Sequence, residues 1–62
     1  PRLSTAAADL RCAYLQELAL SAQLDAAADA APMPLRETLH AMAQQDARHA
    51  QRVRTLLTRL IF

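Results

Sequence analysis

Apolar residues return every three or four positions through two long stretches of this chain, and a proline cluster separates the two. At 100° per residue from Leu3, Leu10 falls at about 340°, Tyr14 at 20°, Leu18 at 60°, Ser21 at 0°, Leu24 at 300° and Ala28 at 340°. The same count from Leu35 puts Leu35 and Val53 at about 0°, Leu39 and Leu57 at 40°, Met42 and Leu60 at 340° and Leu56 at 300°. Each stretch therefore predicts a helix with one apolar stripe. Ser4 or Thr5 can cap the first, which is expected over about residues 5–30. Ala31-Pro32-Met33-Pro34 ends it, because each proline lacks a backbone donor and disfavours helix at the residue before. Pro34 suits the first position of a second helix running to about residue 60. The expectation is an all-α fold: residues 1–62 as one antiparallel two-helix hairpin with a Pro turn at 31–34.

Three polar residues break the stripes. Asp46 falls at about 20° and His49 at about 320° on the second count, and Glu17 at about 320° on the first. Burying an ionisable group without a partner is costly, so each needs one there. In a hairpin, residues equally far from the turn share a height. Glu17 lies about 20 Å from it, Asp46 about 18 Å and His49 about 22 Å, at 1.5 Å per residue. Glu17 is thus placed between Asp46 and His49. Two carboxylates and an imidazole at one level suit iron, manganese or zinc in a helical bundle. The competing reading is a Glu17–His49 ion pair or a polar stitch that fixes helix register. Tyr14, one turn before Glu17, either holds a carboxylate by its hydroxyl or fills core.

A second match to Glu-x-x-His is set aside. Glu37 and His40 fall at about 200° and 140° on the second count, on the outer face, and read as solvated surface. A surface metal or a contact between subunits is the minor alternative for them.

Composition narrows the setting. With 62 residues and one cysteine, a monomer has neither a large core nor a disulfide framework, which leaves a metal, a partner or both. A second apolar strip on the first helix points to a partner. Ala8, Cys12, Leu15, Ala19, Ala22 and Ala26 lie at roughly 100–180°, where a lone hairpin cannot cover them. Self-association into at least four helices is expected, with Cys12 a small apolar contact. Seven arginines against six acids is too balanced for electrostatic nucleic-acid binding. No apolar run reaches membrane-spanning length and no signal peptide is visible, so a cytoplasmic protein is expected.

A Glu on one helix followed by carboxylate-x-x-His on the next resembles the half-site of the ferritin-like di-iron proteins. The segment from Leu35 to Ala50, ending Gln44-Gln45-Asp46-Ala47-Arg48-His49-Ala50, is similar to the metal-binding helix of rubrerythrins and encapsulated ferritins. The length is most similar to encapsulated ferritins, which carry a two-helix half of the fold and complete it by pairing chains. The resemblance implies a four-helix bundle made by two chains and a di-iron site shared between them. Glu17, Asp46 and His49 of each chain would be the ligands, with Tyr14 behind them. It also implies ferroxidase activity for iron storage or detoxification, and an encapsulin shell as partner and compartment. Two features depart from the family: Asp46 stands where it has Glu, and Gln44 and Gln45 where it has acids. The alternative from another class is a non-enzymatic interaction module, resembling secretion co-chaperones or RNA-binding hairpins. It would use the second apolar strip or the row Arg48, Arg52 and Arg59.

Overall fold

The computed structural model describes residues 2–61, with side chains for 5–60. Two helices, α1 (Arg2–Asp29) and α2 (Leu35–Ile61), pack against each other, and no strand occurs among the described residues. Helix α1 is already formed at Arg2, so Ser4 and Thr5 lie inside it rather than capping it. Pro1 lies outside the described residues.

The turn is closed by backbone bonds at both ends. The Ala30 and Ala31 amides donate to the Ala27 and Ala28 carbonyls at 3.2 and 3.0 Å, which tightens the last turn of α1. Arg36 reaches back and donates its Nε–H to the Ala31 carbonyl at 3.1 Å. The Arg36 amide donates to the Pro32 carbonyl at 3.0 Å and the Thr38 amide to the Pro34 carbonyl at 3.3 Å. Pro34 accepts the entry bond of α2 while standing just outside the helix, which begins at Leu35. The Met33–Pro34 peptide bond is cis.

The seam between the helices is made of alanine. Ala28 and Ala50 are 0% exposed, Ala43 is 1% exposed, and Ala31 is buried beside them. Among the described residues no large side chain is fully buried. Leu10, Tyr14, Leu24, Leu39, Val53, Leu57 and Leu60 are half-buried along this line, as the stripes predict. Other stripe residues are not. Leu35, Met42 and Leu56 are 50%, 46% and 49% exposed, and Leu18 is exposed as well. On the α2 count, Ala43 and Ala50 fall at about 80° and 60°, so the packed face is turned by roughly 60° from the leucine-centred stripe. The physical reason is size. Alanines let two backbones approach closely, and the larger side chains are then pushed to the flanks. The α1 strip of Ala8, Cys12, Leu15, Ala19, Ala22 and Ala26 is exposed throughout.

Candidate metal centre

Contacts at His40 and at Ser21 tie the two helices in register. On one flank His40 Nδ1–H donates to Asp25 Oδ1 at 3.0 Å, with Nε2 at 3.8 Å from Asp29 Oδ1. In the seam itself, the Ser21 hydroxyl donates to the Ala43 carbonyl at 2.9 Å. Stepping four residues back from Ser21 and four on from Ala43 brings Glu17 opposite Ala47, between Asp46 and His49.

The side chains meet there. One ligand atom from each of Glu17, Asp46 and His49 lies within 4.8 Å of the others. Glu17 and Asp46 are half-buried, whereas His49 is exposed. This corrects the expectation of a histidine in the middle of a buried stripe: with the seam on the alanines, position 49 falls on its edge. The cluster therefore has a closed end at Glu17 and an open end at His49.

Glu17 Oε2 is fully occluded and accepts no hydrogen bond. Leaving an acceptor in that state costs about 1–3 kcal/mol, more for a charged group. Tyr14 does not relieve it; its half-buried ring lies on the seam one turn away, and its hydroxyl makes no bond to Oε2. Asp46 and His49 share the cluster with Glu17, and another carboxylate is a poor companion for the orphaned oxygen. A cation satisfies both at once. Three donors each about 2.1 Å from one tetrahedral ion stand roughly 3.4 Å apart. The donors lie within 4.8 Å of one another, so closing on an ion takes a shift of at most about 1.4 Å, shared between side chains with rotatable bonds. The residues fit a divalent metal, with two hard oxygens and one imidazole per chain suiting iron, manganese or zinc.

The surroundings of the open end are apolar. Leu35, Met42, His49 and Leu56 are spaced by seven, close to two helical turns, so they form one line along α2. All four are exposed. On α1, Leu20 is exposed one turn on from Glu17. On the α2 count this line lies to one side of the seam and His40, at about 140°, to the other. The histidine bridge thus closes one flank and the cluster of candidate ligands opens on the opposite one.

Glu37 is exposed, as expected. His40 is not simply solvated: its ring is half-buried and pinned between Asp25 and Asp29 of α1. Ser21 was legible as a seam position, but the sequence did not assign its hydroxyl to the Ala43 carbonyl, because the closeness of the backbones comes from the alanines opposite. Set against protein-family models, characterised proteins and solved structures, the chain matches none.

Proposed function

We propose that this hairpin is one half of a ferritin-like di-iron protein that oxidises Fe(II), with its metal site completed by a second copy of the chain. The observation that carries this reading is the occluded, unbonded Glu17 Oε2 within a cluster of three donor groups. A structural polar stitch would have its acceptors satisfied, whereas a site that has to take up a cation is expected to hold an unsatisfied carboxylate.

Surface area supports the second copy. The chain exposes 4816 Å², against about 3950 Å² expected for a compact monomer of this mass. The surplus of roughly 850 Å² is close to what one partner contributes to an interface of standard size. The exposed line of Leu35, Met42 and Leu56, with His49 among them, is where such a partner would bring its own trio within reach. Two chains then offer two Glu17, two Asp46 and two His49, the inventory of a di-iron carboxylate site.

In this reading Glu17 and Asp46 attract and hold Fe(II) by charge, and each His49 offers one ring nitrogen at the solvent side, where ions arrive. The iron is the substrate: two Fe(II) each lose one electron, and O₂ takes up the pair with two protons. The test is an anaerobic Fe(II) titration followed by air. Ferric absorbance should grow and saturate near about one iron per chain. Glu17→Ala and Asp46→Ala should abolish the change. A wild-type chain that takes up no Fe(II), Mn(II) or Zn(II) overturns the proposal and leaves the trio as a polar cluster in an interaction module.

A further inference from the structure

We infer that Ser21 is the positioning residue of the metal cluster: its bond to the Ala43 carbonyl holds Glu17 level with Asp46 and His49. The inference rests on the metal-binding reading above.

The argument begins with what the seam lacks. Alanines dominate it, and among the described residues no large side chain is fully buried to interlock the helices. An alanine face is nearly featureless along its length, so sliding one helix past the other loses little packing. The cluster cannot tolerate such a slide. Its donors come from both helices, and one residue of slip moves Glu17 by about 1.5 Å relative to Asp46. That is as large as the whole shift of about 1.4 Å the donors have to make to close on a single ion. A directional contact close to the cluster is therefore needed.

Ser21 supplies it. The residue lies one turn beyond Glu17 on α1, and Ala43 lies one turn before Asp46 on α2. A helical serine or threonine usually donates to the carbonyl four residues back on its own helix. Thr55 and Thr58 do so, donating to the Gln51 and Arg54 carbonyls at 3.0 Å. For Ser21 that local acceptor would be the Glu17 carbonyl, yet the hydroxyl donates across the seam at 2.9 Å instead. It can reach because Ala43, 1% exposed, has no side chain bulky enough to hold the helices apart. The other interhelical bond, His40 to Asp25, lies nearer the turn on an exposed flank, where water competes with it.

The test is a Co(II) titration of the full chain at fixed concentration, read by visible absorbance, for wild type, Ser21→Ala and Leu57→Ala. Alanine is the best helix former, so Ser21→Ala folds. Leu57→Ala removes a half-buried contact at the far end of α2 and serves as the control for general loosening. Ser21→Ala should weaken Co(II) by about 10-fold or more and alter the band shape, as loss of a residue that orients metal ligands does. Leu57→Ala, although less resistant to urea, should bind within about twofold of wild type. Equal affinity in wild type and Ser21→Ala, or equal weakening in both variants, overturns the positioning role alone. No Co(II) binding by wild type overturns the metal reading and this inference with it.

Discussion

Glu17→Met should make the metal-free hairpin more stable while destroying its metal site. Methionine matches glutamate in length and is nearly its equal as a helix former, so backbone propensity cancels in the comparison. What changes is the occluded Oε2, which has no hydrogen bond. An unsatisfied buried acceptor costs about 1–3 kcal/mol. Glu17 as a whole is only half-buried, so water still screens part of its charge. The lower part of that range, about 1–2 kcal/mol, is the gain to expect on replacing it. For a domain of this size each kcal/mol moves the melting midpoint by about 4–8 °C. The midpoint should therefore rise by roughly 5–15 °C. The assay is far-UV circular dichroism on wild type and variant in EDTA. Chain concentration must be fixed, because the proposed self-association would make the midpoint depend on it. A midpoint that stays put or falls would refute the reasoning. It would mean that Glu17 stabilises the apo fold through Asp46 or His49, as the polar-stitch reading requires.

Two further outcomes follow from the geometry around the cluster. His49→Ala should abolish metal uptake yet leave apo stability within about 0.5 kcal/mol, since the side chain is exposed. His40→Ala should leave uptake intact and cost at most about 1 kcal/mol, because its bonds to Asp25 and Asp29 are solvent-screened; loss of uptake in the His40 variant would show that direction on the helix does not separate the two Glu/Asp-x-x-His matches. Met42→Glu puts a charge in the exposed line beside His49, and in the presence of metal should keep the chain at 6.8 kDa by light scattering where wild type should double. Doubling in that variant would move the pairing surface elsewhere.

How far the sequence could be read depends on which residues set the packing. The hairpin was legible because prolines punctuate it and two stretches keep helical period. The level of Glu17 against Asp46 and His49 was legible because height along a helix follows from counting residues, and the Ser21–Ala43 bond gives the same alignment. The rotation of α2 was not. Counting leucines and methionines as the core put Leu35, Met42, His49 and Leu56 on the packed face. The structure packs Ala43 and Ala50 instead and leaves that line exposed. Hydropathy ranks a leucine above an alanine, but closeness of approach ranks them the other way, and periodicity carries no information on which prevails. His40 misled for a related reason: a turned helix brings an apparently outward side chain to the flank, within reach of Asp25.

The displaced leucines and the orphaned carboxylate have one explanation together. A lone hairpin that packs on alanine keeps its largest apolar side chains, Leu35, Met42 and Leu56, half in water along one line. Burying such a side chain fully contributes about 1.5–3 kcal/mol, so a free chain forgoes about half of that at each position. The same line passes through His49, at the open end of the only donor cluster among the described residues. A second chain covering the line would bury the leucines and surround the cluster in one step. An ion entering between the chains would then neutralise carboxylates that pairing alone drives into a drier environment. Pairing without metal is opposed by that charge, and metal binding without pairing leaves too few ligands. On the proposed reading, folding, association and metal uptake are coupled, and each should be measurable as a dependence of the other two.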